Sequence, residues 1–514
     1  MGPSRLISLA PLCLGLLACG GAQGQVSVAL PENTIILEIP EARLGPPELS
    51  CADALAHAAA EKEKRDAESS AAISGDPSKP VQPVDAPEAT TVKNAMVTGN
   101  AAKRPTLKGY TKKDKLPLTR IIVDRRKVKV KDLPGGKPDE LPLQPLEGPT
   151  KALEKVAEVM RKMTRGERTR LSFYGASHTG ADMWTGQVRR VLQGKYGDIG
   201  HGFIFPAALY KGYRGADINL CRTDDWRPDY VGKRGGRGDG LYGFAGASLS
   251  SNDPLDFGWV ETTHESELGR VVSHYEIFAL GQPEGGTLVL QVDETPMREV
   301  STARDAHGLV HISVRVPEGP HRLTLRPKGD GEIRLFGVSA ERNGPGVLVD
   351  AMGIRGRTAR TQLSWDADLF GAGLKALSPD LLVLAYGTNE ANARGYTDDG
   401  YREDLREVLA NMRKIAPDAA CILAGPTDRG KKISRSRYRI WARTAPVAQV
   451  QREVAGEFDC VFWDWQKAMG GEGSMIAWRL LKKPYASKDL IHLRYRGYVW
   501  SADRLIAAME ATVK

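Results

Sequence analysis

The sequence predicts an α/β fold of three layers, a parallel sheet covered by helices on both faces, and three observations carry that expectation. Apolar runs of strand length recur over 346–352, 380–386, 421–426 and 460–464, and 170–174 alternates and is β-prone. Runs without polar alternation suit strands buried on both faces. Stretches of helical periodicity alternate with them, the order that produces parallel sheets. A long interval rich in alternating β-prone segments then separates the first of these strands from the rest, which predicts a second, all-β unit inserted into the first.

From the N-terminus, residues 1–19 carry one early Arg5 and an apolar stretch over 6–17, followed by Leu16-Leu-Ala-Cys19. This reads as a lipoprotein signal with cleavage before Cys19, which would carry the lipid; a plain secretory signal ending near Ala22 is the alternative. The apolar run is too short to span a bilayer. Both readings export the chain, to the periplasm with outer-membrane anchoring in the first case. Residues 20–145 are rich in Pro, Ala, Glu, Lys and Asp and poor in large apolar side chains. A composition of that kind does not offset ordering entropy, so a long disordered tether is expected, with a small hairpin or edge strand over 118–123 and 127–130 as a local exception.

Residues 146–215 open the α/β unit. The strand over 170–174 leads through Gly175 into a helix expected over 179–193, with Met183, Trp184, Val188, Val191 and Leu192 on its period. Ser177 therefore sits at a strand-to-helix turn, where helix amides can face a developing negative charge. Residues 216–345 follow as the inserted β-sandwich, with strands expected over 271–278, 287–292, 309–316, 321–325 and 333–338, punctuated by Gly, Pro and Asp. Residues 346–514 complete the α/β unit. They add amphipathic helices over 401–416, with Leu405, Val408, Leu409, Met412 and Ile415 on one face, over 441–458, and over 496–513.

Four segments of the α/β unit carry reactive side chains: Tyr174-Gly-Ala-Ser-His-Thr179, Gly356-Arg-Thr-Ala-Arg360, Tyr386-Gly-Thr-Asn-Glu390 and Asp489-Leu-Ile-His492. A carboxylate three residues before an imidazole can accept its Nδ1 proton and leave Nε2 for a serine hydroxyl. Gly356, or Gly353 before it, and Asn389 offer N–H donors. Each segment has a plainer reading: Ser177 as a helix cap, Asn389 as a turn residue, Gly356 as a helix breaker, and Asp489 and His492 as a cap and a surface histidine. It is the four together, in this order, that point to hydrolytic chemistry.

In this order the segments resemble the four blocks of the SGNH, or GDSL-type, hydrolase superfamily. The resemblance implies Ser177 as nucleophile, His492 as general base, Asp489 as its orienting carboxylate, and Ser177, Gly356 and Asn389 as oxyanion-hole donors. Gly356 is preferred to Gly353 because Gly356-Arg-Thr-Ala-Arg360 is similar to the second block of some carbohydrate esterases. Ala176 stands where the superfamily usually has Asp. The split by a carbohydrate-binding-like sandwich, with Trp184-Thr-Gly-Gln187 and Gly200-His-Gly-Phe203, resembles periplasmic peptidoglycan O-acetylesterases. That implies a serine esterase acting on an O-acetylated cell-envelope polysaccharide, peptidoglycan first. The rivals are a wall-binding lipoprotein whose site has decayed and an esterase for another acetylated glycan or a small acyl ester.

Composition bounds the rest. The chain has 514 residues, a net charge of +9 and a pI near 9.1, enough for two folded units and a tether. A basic balance suits an anionic polymer, and the densest cluster lies over 429–439; a contact with peptidoglycan carboxylates and a solvated loop both fit it. No nucleic-acid module is visible. No metal-ligand spacing occurs, so neither metal nor organic cofactor is expected, and a monomer is. Once Cys13 and Cys19 are set aside with the signal, Cys51, Cys221, Cys421 and Cys460 remain; Cys421 and Cys460 open consecutive strands and fit either a bridge or two buried thiols.

Overall fold

The computed structural model describes residues 33–42, 45–73 and 119–513. Cys19, the expected lipid attachment point, lies outside them. Five parallel strands form the central sheet, in the order Val347–Gly353, Thr169–Gly175, Leu381–Ala385, Ala420–Ala424, Val461–Trp463. Alternate side chains of each strand enter different cores. Leu171, Phe173, Val349 and Val383 pack with helices Thr150–Thr164, Trp184–Tyr196 and Tyr495–Glu510, whereas Tyr174, Met352, Leu382 and Leu384 pack with Ala367–Leu377, Asp398–Ile415 and Thr444–Glu457. This is the α/β/α arrangement that the apolar runs predict, since strands covered on both sides need no polar face.

The inserted unit consists of two facing sheets. One has seven strands, among them Val272–Gly281, Gly308–Gly319 and Ile333–Glu341; the other has five, centred on Thr287–Val292, Arg322–Pro327 and Gly258–Glu261. Side chains from the two, such as Ile277, Ile312, Leu290 and Leu325, fill one core, and that core is continuous with the one beneath the central sheet. The chain enters the larger sheet at Gly202–Ile204, ahead of the boundary expected at 216.

The expectation of an unstructured tether over 20–145 needs correction for its described parts. Ile35–Glu38 adds a parallel strand to Gly308–Gly319. Cys51–Ile73 is a helix, held by a Cys51–Cys221 disulfide, a Lys62–Asp225 ion pair and a bidentate Arg65–Asp253 pair at 2.7 and 2.8 Å. Thr119–Asp124 pairs with Arg437–Trp441, which pairs in turn with Gly430–Lys432. Residues 127–130 do not form the second strand allowed for them; Val130–Asp132 is a 3-10 turn. These pieces lack a core of their own and are ordered by partners distant in sequence, a contribution composition cannot register. A second disulfide, Cys421–Cys460, staples two neighbouring central strands.

The helix expected over 179–193 is broken. A single turn, Ser177–Gly180, is followed by a left-handed Asp182 at φ 47° and then by Trp184–Tyr196. The break aims the buried Asp182 carboxylate at Arg189 (3.1 Å), the Thr185 hydroxyl (2.6 Å) and the Ala216 amide (2.8 Å). Likewise, 437–441 is strand, so the helix expected over 441–458 begins only at Thr444.

Candidate active site

The Thr169–Gly175 strand is buried along its whole length and paired on both sides, so its carboxyl end is fixed in place. At Gly175 a Cβ would meet the Thr179 hydroxyl at 2.2 Å and the Ala385 carbonyl at 2.8 Å. Only glycine lets the chain leave the sheet here. Two residues on, Ser177 starts the single helical turn and remains half-buried. The second block is pressed against this turn, because the Ile354 amide donates to the Gly175 carbonyl at 3.0 Å and Gly353 abuts the backbone of Gly180.

Asp489 and His492 lie on a tight hairpin. Ala486 pairs with Leu493, and the Ser487 amide donates to the His492 carbonyl at 2.8 Å. Leu490, buried, takes a left-handed φ of 59°, a conformation that side chains other than glycine rarely adopt. The reversal lets one carboxylate oxygen of Asp489 accept the amides of Ile491 and His492, both at 3.0 Å. The other oxygen accepts His492 Nδ1–H at 2.7 Å. Since a carboxylate only accepts, His492 Nε2 is left as an acceptor, and the Ser177 hydroxyl donates to it at 2.8 Å. Burial alone would raise the Asp489 carboxyl, but the His492 ring and the two amides hold it well below the usual carboxylate range. Residues 315 positions apart thus form one chain of hydrogen bonds.

The second and third blocks are joined to each other. Asn389 Nδ2 donates to the Arg357 carbonyl, next to Gly356, at 2.8 Å. Gly356 is exposed, at φ 75°, with nothing within 4 Å of a notional Cβ. Its backbone conformation is one that favours glycine. No hydrogen bond links either residue to Ser177 among the described residues; what holds them is Glu390. That buried carboxylate accepts the Ala359 amide with one oxygen and the Gly387 amide with the other, each at 2.8 Å, and so ties the two loops together. Burial pushes it up to about 6, against the pull of those amides.

Other residues at the site had no catalytic role assigned from sequence. His178, buried beside the nucleophile, sets Nδ1 at 2.9 Å from the Tyr498 hydroxyl and Nε2 at 3.3 Å from that of Thr427. Its ring lies 5.5 Å from that of His492. Burial first, and the His492 ring second, push it down to about 3, which favours its neutral form. Asp428 is buried and pushed up to about 6 by burial; it accepts the Gln466 amide and the backbone amides of Gly473 and Met475. Arg429 stacks 4.3 Å over Trp441 and reaches the Thr388 carbonyl at 3.3 Å, which ties the basic hairpin to the third block. His178 and Glu390 stand within the four segments and Arg429 opens the basic cluster, but the bridging role of Glu390 needs two loops that sequence alone does not juxtapose.

Residues 329–500 match the GDSL-like lipase/acylhydrolase family, a stretch that holds Gly356, Asn389, Asp489 and His492 but not Ser177. Among solved structures, a peptidoglycan O-acetylesterase aligns with 24% identity and a TM-score of 0.58, over 72% of this chain and 99% of its own, a likeness of fold. A family two carbohydrate esterase from Cellvibrio japonicus aligns at 10% identity over 58% of this chain and 98% of its own, with a TM-score of 0.23. An acetyl xylan esterase aligns at 20% identity over 32% and 79%, also with a TM-score of 0.23. No match was found among curated proteins. The chain thus carries a GDSL-like lipase/acylhydrolase match over 329–500 and shares the fold of a peptidoglycan O-acetylesterase.

Proposed function

We propose that this chain is a serine esterase of the SGNH hydrolase type that removes O-acetyl groups from a cell-envelope polysaccharide, with peptidoglycan as the leading substrate. The observation that carries the reading is the Ser177–His492–Asp489 hydrogen-bond chain at 2.8 and 2.7 Å, at the carboxyl end of the central sheet. In the proposed reaction Ser177 Oγ attacks the acetyl carbonyl while its proton passes to His492 Nε2, and Asp489 stabilises the imidazolium. The oxyanion is met by N–H groups of Ser177 and Gly356 and by Asn389 Nδ2, whose amide has a second N–H beyond the one given to Arg357. His492 then protonates the departing sugar oxygen. Water, deprotonated by the same imidazole, releases acetate from the acetyl-serine.

The polysaccharide part of the reading is supported by the sandwich, which widens the surface beside the site. Arg357 of the second block reaches into it, donating to the Val231 carbonyl at 2.6 Å. Export, with a lipid on Cys19, is part of the proposal; two disulfides within the described residues favour an oxidising compartment. Acetate release from O-acetylated peptidoglycan, acetylated xylan and a chromogenic acetate tests it, with Ser177→Ala as the control. The expected result is release from peptidoglycan that Ser177→Ala abolishes, together with fluorophosphonate labelling of the parent protein only. Faster turnover of xylan would move the substrate elsewhere, and equal activity in the Ser177→Ala protein would end the mechanism.

A further inference from the structure

Behind the hairpin that carries Asp489 and His492 lies a cavity of about 200 Å³, lined by Arg479, Ala486, Ser487, Lys488 and Arg494. Three of its five lining residues are cations. Among the described residues none of the three has a carboxylate within 4.0 Å, although the chain elsewhere pairs its arginines freely, as in Arg402–Glu453 and Arg406–Glu457. Asp489, next in sequence to Lys488, is engaged by the His492 ring. Backbone bonds hold the walls: the Arg494 amide donates to the Tyr485 carbonyl at 2.8 Å, and the Ser487 hydroxyl to the Leu493 carbonyl at 3.2 Å. Arg479 is half-buried in the last turn of Ser474–Leu480, while Lys488 and Arg494 are exposed at the rim.

Three like charges around one concavity repel each other unless an anion sits among them. The space is that of roughly six or seven water molecules, at about 30 Å³ each, enough for a carboxylate and the atoms next to it. Two guanidiniums suit the forked geometry of an oxyanion. Lys488 stands four residues before His492, at most about 15 Å away between Cα atoms, so the cavity is within reach of a substituent on the polymer being deacetylated.

We propose that this cavity binds a carboxylate of the peptide carried by the acetylated glycan, so that the enzyme recognises peptide-bearing strands in preference to bare ones. The assignment of the carboxylate rests on the peptidoglycan reading above; the anion site itself rests on the cavity. The test is calorimetric binding to the full chain at low salt of a muramoyl dipeptide with a free terminal carboxylate, against the same compound amidated. Binding at one equivalent, at least tenfold tighter for the acid, is expected, with that preference lost in an Arg479→Gln/Lys488→Gln/Arg494→Gln variant. Should the triple variant not fold, Lys488→Gln and Arg494→Gln singly, both at exposed positions, are expected to show intermediate losses. Equal binding of acid and amide, or a preference that survives the substitutions, would overturn the proposal. Equally strong competition by inorganic phosphate would overturn the peptide assignment and leave a general anion site. The readout needs no ester turnover, so an absence of acetate release from peptidoglycan would count against the substrate reading alone.

Discussion

Arg170→Met removes the cation at the centre of the ionic group beneath the nucleophile strand. Its guanidinium lies 3.0 Å from Asp350 and pairs with Glu341, and the three side chains are 8%, 0% and 4% exposed. Asp350 would keep the Ser172 hydroxyl at 2.6 Å and the Phe203 amide at 3.0 Å, and Glu341 would keep Arg168. Removing one partner of a buried ion pair costs about 3–5 kcal/mol, and these remaining partners place the expected loss near 3 kcal/mol at pH 7. For a large chain losing about 3 kcal/mol per molar urea, the tryptophan-fluorescence midpoint should fall by up to about 1 M. Acid should narrow the gap. In the parent protein burial pushes Glu341 up, but Arg170 foremost, with His274 and Arg168, holds it well below the usual carboxylate range. It therefore contributes stability above its unfolded pKa that is lost as pH falls through the folded one. In Arg170→Met burial acts with much less opposition, the folded pKa rises, and proton uptake on acidification relieves the strain. The difference in midpoint should shrink between pH 7 and pH 5. An unchanged midpoint at pH 7, or a gap that widens on acidification, would refute the reasoning.

Three further perturbations test the site and its frame. Glu390→Ala strips the acceptor from the Gly387 and Ala359 amides; the loosened loops should lower kcat on a chromogenic acetate by about a hundredfold with KM nearly unchanged, and Glu390→Gln, which retains one acceptor, should fall between. His178→Phe leaves the Tyr498 hydroxyl without its 2.9 Å partner and should destabilise by about 1–3 kcal/mol in urea titration at pH 7. Because unfolding must charge a histidine whose folded pKa is about 3, the parent should lose stability as pH falls from about 6.5 toward that value, and the variant should lose less. Cys421→Ala/Cys460→Ala opens a loop with a sequence separation of 39, worth about 4 kcal/mol in chain-entropy terms, to be read as a lowered thermal midpoint against the oxidised parent.

The legible parts of the molecule are those where chemistry or burial restricts residue type. Strands such as Leu381–Ala385 and Thr287–Val292 read directly, because a strand buried between layers tolerates little but apolar residues. Ser177, His492 and Asp489 were legible because few residue types can exchange the proton, and the structure brings them together. Hidden were features fixed by distant partners. Cys51–Ile73 reads as a polar tether until Cys221, Asp225 and Asp253 are placed beside it. Gly180 and Asp182 interrupt an apolar period that carries no mark of a break, and the reason, Arg189 and Ala216 converging on one carboxylate, is tertiary. Glu390 had no role assigned from sequence, because its two donors come from different loops.

The strand that delivers Ser177 lies between Val347–Gly353 and Leu381–Ala385, both encoded after the sandwich. During synthesis from the amino end, the sandwich can close as soon as Glu341 emerges, while Thr169–Gly175 has no neighbour on either side. A strand left open along both edges is a magnet for mispairing. Maturation is therefore vectorial: the nucleophile waits, inert and sticky, for the carboxyl-terminal third of the chain, and no hydrolytic centre exists until the last helices have docked.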